Sequence, residues 1–246
     1  MGKDIGRWYS HLRYGVPIGI ATALFGTIAM CVSVFDKTGA HQQKVARMWA
    51  RWVLRLAGCP IQVHGAENLL GSEPAVYAAN HISFLDTPVL FSSLPFQFRI
   101  LARHDLFNYP FVGWYLRRSG QVPVVIGDMH ASVKSLSAAA RTVKHGLPVM
   151  IFPEGGRNGH GKLMPLLSGM AFIAIRAQVP VVPMAIVGTY EALPMHTYHV
   201  RPKPLHLVIG KPIPTHGMHM KQIEELNERV FAEISRLYAE WSPAEA

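Results

Sequence analysis

Seven short apolar runs alternate with stretches of helical periodicity between residues 61 and 209, and few folds can absorb that alternation. The runs are Ile61–Val63, Val76–Ala79, Phe98–Leu101, Val122–Val125, Val149–Phe152, Val181–Val187 and Leu205–Ile209. Helical patterns fall at Thr87–Ser93, Pro110–Arg118, Ala131–His145 and Leu167–Ala177. Strands separated by helices predict an α/β fold with a mostly parallel, twisted sheet flanked by helices on both faces. Runs that are apolar throughout suit strands buried on both faces. In such sheets sites form at the carboxyl ends of strands. The Pro194–Pro204 stretch reads as a loop. After it, Ile223, Leu226, Val230, Ile234, Leu237 and Trp241 recur at steps of three and four, which predicts a helix packed on the domain.

Ahead of this region, Val16–Phe35 has 20 residues and no charge, about the length that spans a bilayer core. Its end lacks a small-x-small cleavage site, which argues against a removed signal peptide. A full span and a shallow re-entrant anchor both fit. Lys3, Arg7 and Arg13 precede it; Lys37, Lys44, Arg47, Arg51 and Arg55 follow. The larger C-terminal excess predicts a catalytic domain on the cytoplasmic side. Gln42–Ala57 reads as an amphipathic helix. Trp49, Trp52 and Val53 form its apolar stripe, and Arg47, Arg51 and Arg55 recur every fourth residue, as in an interfacial helix. Residues 1–57 are therefore expected to associate with the membrane and residues 58–246 to form the catalytic domain.

Half of the chain is hydrophobic and its net charge is +9, with the basic residues scattered. Without long Lys/Arg runs or interleaved aromatics, this predicts anionic lipid headgroups as partners and not nucleic acid. Cys31 and Cys59 form neither a metal spacing nor a disulfide framework. The pairs His196/His199 and His216/His219 lack a glutamate between them and read as solvated or packed, so no metal site is expected.

Two motifs carry the chemistry. His81-Ile82-Ser83-Phe84-Leu85-Asp86 follows the second run and Asn80. A histidine at a strand's end, with a carboxylate five residues on, is a candidate general base beside a group that can orient it. Pro88 suits the first turn of a helix that would bring Asp86 back onto the ring. With two fixed positions, the pattern reads equally as a strand-end histidine and a helix N-terminal aspartate. The second motif, Pro153-Glu154-Gly155-Gly156-Arg157-Asn158-Gly159, follows the fifth run. Its glycines let backbone N–H groups approach an anion, and Arg157 adds a planar cation for phosphate or carboxylate.

The ordered pair resembles the glycerolipid acyltransferase family, the 1-acylglycerol-3-phosphate acyltransferases and their relatives. That family joins Asn-His-x-x-x-x-Asp to a later Phe-Pro-Glu-Gly-x-Arg. A third block matches Val179-Pro180-Val181-Val182-Pro183, and Leu101–Phe107 is similar to the family's Ala-Lys-x-Glu-Leu segment. The resemblance covers roughly residues 60 to 215 and departs in two places. Gly120–Ile126 lacks an arginine that often contacts the acceptor phosphate, and Pro165–Gly169 lacks basic residues common there.

The resemblance implies transfer of a fatty acyl group from an acyl thioester, on coenzyme A or acyl carrier protein, to a hydroxyl of 1-acyl-glycerol-3-phosphate. The thioester is a co-substrate, and no cofactor is implied. His81 would take the hydroxyl proton and Asp86 would orient the ring, in the manner of a triad whose serine is replaced by the substrate's oxygen. N–H groups near Gly155 and Gly156, and Arg103, are candidate oxyanion donors. Arg157 would hold the acceptor's phosphate. Glu154 would order the loop or accept from the acceptor, and a Glu154–Arg157 salt bridge that shapes the loop is the competing arrangement. The thin phosphate grip leaves a lyso-aminolipid acceptor open. A non-catalytic lipid-binding protein is the third reading.

Overall fold

The computed structural model describes residues 8–70, 73–125, 127–157, 159–195, 197 and 199–242. Lys3, Arg7, Ile126, Asn158 and His196, named above, lie outside the described residues. The fold is α/β, as the alternation predicts. Seven strands, β1 (Ile61–His64), β2 (Val76–Ala79), β3 (Arg99–Arg103), β4 (Val122–Val124), β5 (Val149–Ile151), β6 (Val181–Val187) and β7 (Leu205–Ile209), form one sheet. Their order is β1-β7-β6-β2-β5-β3-β4. Only β6 and β7 pair antiparallel. The five strands from β6 to β4 therefore point their carboxyl ends at one edge. A helix lies between each successive pair of strands from β2 to β6, as parallel strands require.

Alternation along the strands splits the core into two layers. Tyr77, Ala79, Phe98, Ile100, Met150 and Met184 face one side. Val76, Ala78, Leu101, Val149, Ile151 and Val181 face the other. The first layer is covered by α2 (Ala40–Leu56) and α3 (Asp86–Ser93). The second is covered by α5 (Met129–Lys144), α6 (Gly169–Ala177) and α8 (Ile223–Trp241). α4 (Val112–Arg118) follows β3, and the one-turn α7 (Thr189–Ala192) follows β6. α4 starts two residues later than predicted, because Phe111 takes a left-handed φ of 60° as its N-cap.

The N-terminal helix α1 (Trp8–Val32) is long and apolar enough to cross a membrane. It begins eight residues ahead of the uncharged segment and carries a π-helical turn at His11–Gly15. At about 1.5 Å per residue its 25 residues extend roughly 38 Å. Its Ile20, Leu24 and Ile28 are solvent-facing at four-residue steps. The other side packs on α2, where Trp49 Nε1 donates to Thr22 Oγ1 at 3.1 Å. At Gly26 an added Cβ would come within 2.6 Å of Phe111 Cβ, so the absence of a side chain lets α1 lie against the α4 entry.

α2 splits both the row of arginines and the apolar stripe between surface and core. Arg51, Trp52 and Arg55 stay outward, with Arg55 over the Trp52 ring. Arg47 instead turns inward, and its Nη2 donates to Leu94 O and Phe96 O at 2.8 and 3.3 Å, closing the end of α3. Ala46, Ala50, Val53 and Leu54 lie in the same core layer as β2. The packing is therefore continuous across residue 57. The turn before α2 is fixed as well. Asp36 accepts from the N–H groups of Thr38, Gly39 and Gln42, and these donors hold its carboxyl down at about 2 although burial pushes it up.

Candidate active site

β2 and β5 are neighbours, so the two motifs that follow them emerge side by side on the carboxyl edge. Asn80 fixes the first. Its Nδ2 donates to Ile186 O at 3.0 Å and its Oδ1 accepts from Ile186 N at 2.7 Å, which clips the end of β2 to β6. The chain then turns, and Asp86 at the start of α3 swings back onto His81. His81 Nδ1 lies 2.9 Å from Asp86 Oδ2. The same oxygen accepts from Ile82 N at 2.7 Å and Ser83 N at 2.8 Å. Asp86 is fully buried, while the His81 side chain keeps 15% exposure. A carboxylate held by two backbone donors is fixed in place. Its third contact takes the Nδ1–H, so the neutral ring's lone pair sits on Nε2, where a substrate hydroxyl could deliver its proton. Oδ1 of Asp86 is buried and has no hydrogen-bond partner among the described residues.

The second motif grips the first. The Phe152 ring stacks on the His81 ring, with centroids 3.9 Å apart and planes 12° apart, which fixes the imidazole's tilt. Glu154 Oε1 accepts from His81 N at 2.8 Å and Oε2 accepts from Met164 N at 2.8 Å. Glu154 thus ties the His81 backbone to the loop beyond the glycines. Gly155 has a left-handed φ of 74°, and an added Cβ would come within 2.4 Å of Leu167 Cδ1. The left-handed φ favours glycine here, and a side chain would also displace the tip of Leu167. Arg157 runs back across the first motif, with Cζ 3.7 Å from the Phe84 ring centroid.

The other candidates make the following contacts. No salt bridge joins Glu154 to Arg157 among the described residues: the carboxylate is taken by backbone donors and the guanidinium lies on Phe84. Of the oxyanion candidates, the Gly155 N–H is spent inside the turn on Phe152 O at 3.1 Å. Arg103, at the end of β3, is exposed and folds onto Asp105 through Nε–Oδ1 at 3.0 Å and Nη2–Oδ2 at 2.8 Å. Gly156 alone keeps open space where a Cβ would point. The sequence reading passed over Phe84, Phe152 and Met164. Phe152 could have been found, since the last residue of one strand reaches the end of its neighbour. Met164 could not, because its contact depends on the path of an irregular loop.

The electrostatics of the edge are uneven. Burial pushes the Glu154 carboxyl up to about 7, with Asp86 adding to the rise and the two backbone donors opposing it. Burial lowers the Arg157 guanidinium, and Asp86 works against that. The Glu154 shift has a consequence for stability. A carboxyl whose folded value lies above its unfolded value favours the fold below the unfolded value, and that contribution is lost as pH rises from 4.5 toward about 7. Glu154→Gln removes the titration. Its stability relative to the wild type should improve between pH 5 and pH 8 by up to on the order of 3 kcal/mol. Thermal unfolding of both proteins across that range checks this, and a pH-independent difference would contradict it.

Comparison with known proteins fits this geometry. The family profile described as Acyltransferase matches residues 60–187, which include both motifs and β1 through β6. A chloroplastic 1-acyl-sn-glycerol-3-phosphate acyltransferase of Brassica napus is 33% identical over 69% of this chain and 49% of its own. A 1-acyl-sn-glycerol-3-phosphate acyltransferase of Pseudomonas aeruginosa is 29% identical over 89% of this chain and 86% of its own. The chain spans about half to three-fifths of the length of the plant relatives from Brassica napus, Limnanthes alba and Cocos nucifera. The crystal structure of the 1-acyl-sn-glycerophosphate acyltransferase PlsC from Thermotoga maritima superposes with a TM-score of 0.79. It covers 95% of both chains at 24% identity, which shows a shared fold.

Proposed function

The chain belongs to the acyltransferase family, and we propose that it transfers a fatty acyl group from an acyl thioester to the free hydroxyl of 1-acylglycerol-3-phosphate, as the names of its relatives state for them. The observation that carries this reading is the His81–Asp86 contact at the mouth of the sheet edge, with Arg157 beside it. The acceptor hydroxyl gives its proton to His81 Nε2 as its oxygen attacks the thioester carbonyl. Asp86 keeps Nδ1–H pointed inward and balances the imidazolium that forms. Collapse of the tetrahedral species expels the thiolate, which takes the proton back from the imidazolium. No acyl-enzyme is required. Coenzyme A and acyl carrier protein both serve the chemistry as thiol carriers, and no resident metal or organic cofactor has a step to perform.

Arg157 is the cation placed for the acceptor's phosphate. Arg157→Ala should raise the acceptor KM by about 10- to 100-fold, as expected for loss of a charge-assisted contact. The donor KM should change by less than twofold. Varying donor and acceptor separately checks this; a change confined to the donor KM would move Arg157 to the donor site. One observation favours a second reading. Gly120–Val125 brings no arginine to the edge and Arg103 is held by Asp105, so the same transfer to a lysolipid without phosphate is compatible with the site. The deciding experiment is an acceptor panel. Lysophosphatidate, a lyso-aminolipid and monoacylglycerol are each offered with acyl-coenzyme A and acyl-acyl carrier protein. The first reading expects phosphatidate as the main product.

The membrane is the surface that brings such substrates together. We place the exposed face of α1 in the lipid and the carboxyl edge of the sheet at the cytoplasmic boundary, where a water-borne thioester can reach a lipid acceptor. Lys37, Lys44, Arg51 and Arg55 lie on the C-terminal side of α1, as positive cytoplasmic flanks do. Deleting residues 1–57 would strip core side chains of α2, so a surface variant is the cleaner test. Ile20→Lys with Leu24→Lys should shift the protein from the pelleted membrane fraction toward the soluble one. Unchanged pelleting would place α1 outside the lipid.

A further inference from the structure

Phe84 is out of keeping with its surroundings. Ile82, Ser83, Leu85 and Asp86 on either side of it are buried, yet Phe84 is 48% exposed, at the edge where the site opens. Neither the proton transfer nor the fold of the first motif needs a phenyl ring there. Arg157, 73 residues further on, sits over it with Cζ 3.7 Å from the ring centroid.

We propose that Phe84 is a positioning residue that holds Arg157 ready for an acceptor's phosphate and so sets the preference for phosphate-bearing acceptors, an inference that rests on the proposed function. A guanidinium carries its five N–H groups in its plane. Stacking on an aromatic ring occupies one face and leaves that perimeter free to meet two phosphate oxygens. An arginine on a surface loop would otherwise lose rotamer freedom each time a phosphate bound; the stack removes that loss beforehand. Phe84 also ties the two motifs together. The first supplies the base and the ring under the arginine, while the second supplies the arginine and the ring under the base. The phosphate hand is thereby fixed relative to the proton acceptor, within one rigid turn of His81. The contact matters more in this chain because Gly120–Val125 contributes no second arginine and Arg103 is committed to Asp105.

The test uses the full-length protein in detergent, with glycerol 3-phosphate as the binding probe and lysophosphatidate and monoacylglycerol as acceptors. Phe84→Leu keeps apolar bulk and removes the π face; Phe84→Trp keeps both. Leu should weaken glycerol 3-phosphate binding by calorimetry by roughly 3- to 30-fold, the range of a cation–π contact, and Trp should restore it. The lysophosphatidate KM should rise in step for Phe84→Leu, with a smaller change in kcat and no change in donor KM. Monoacylglycerol transfer should respond equally little to Leu and Trp. Equal affinity of wild type and Phe84→Leu for glycerol 3-phosphate overturns the inference, as does absence of binding to the wild type. An equal loss on both acceptors also overturns it and makes the ring a lipid contact. Failure of the wild type to acylate lysophosphatidate while still binding glycerol 3-phosphate would refute the proposed function alone, and the Phe84→Leu affinity would still decide the role of the ring.

Discussion

His81→Ala is expected to lower kcat for acyl transfer by about 10²- to 10⁴-fold, the usual contribution of a positioned general base. The fold survives. The ring is partly open, and it leaves behind an Asp86 that still accepts from Ile82 N and Ser83 N. What is lost structurally is one hydrogen bond and one stacked pair with Phe152, together roughly 1–3 kcal/mol. The two quantities separate cleanly. Initial rates report the base, and circular dichroism melting reports the fold. Activity above a few per cent in the folded variant would mean that another group takes the proton.

Asp86→Asn is expected to cost nearly as much in rate for a different reason. Asp86 Oδ2 gathers three donors in a fully buried position: His81 Nδ1, Ile82 N and Ser83 N. An amide oxygen can replace it as acceptor, so the turn keeps its shape. The amide carries no charge, so it cannot balance the imidazolium that forms when the ring takes the proton. A fall in kcat of about 10²- to 10⁴-fold should therefore come with a small change in stability. Asp86→Ala differs. It leaves two buried backbone N–H groups unsatisfied, at about 1–3 kcal/mol each, so rate and melting temperature fall together. An Asn variant with wild-type rate would reduce Asp86 to a residue that merely closes the turn.

The strands and the His81–Asp86 spacing were readable from the chain because each is local. A strand buried on both faces is an unbroken apolar run, and Val76–Ala79 and Val149–Ile151 could hide nowhere else. The spacing of the first motif is closed by a single turn. Other features depend on which strands become neighbours, and no local pattern encodes that. Glu154 finds His81 N only because β5 lies beside β2, and the antiparallel sense of β7 goes with a connection whose described residues hold just the one-turn α7. Side-chain direction was the second gap. Arg47, Arg51 and Arg55 share a spacing of four. Such a row drifts about 40° around a helix at each step, and the drift carries Arg47 into the carbonyls that end α3. Arg103, a candidate donor to the substrate, has in Asp105, two residues on, a nearer partner. Phe84 was passed over because its meaning lies in a contact with a residue far along the chain.

Thiol release measured with and without acceptor tests direct, base-assisted transfer more closely than any other measurement. Full-length protein mixed with acyl thioester alone should release no thiol in an amount matching the enzyme. Addition of lysophosphatidate should then release one thiol for each phosphatidate formed, and His81→Ala should show neither. A stoichiometric burst of thiol before any acceptor is added would reveal an acyl-enzyme. That result, or thiol release without phosphatidate, would contradict the account.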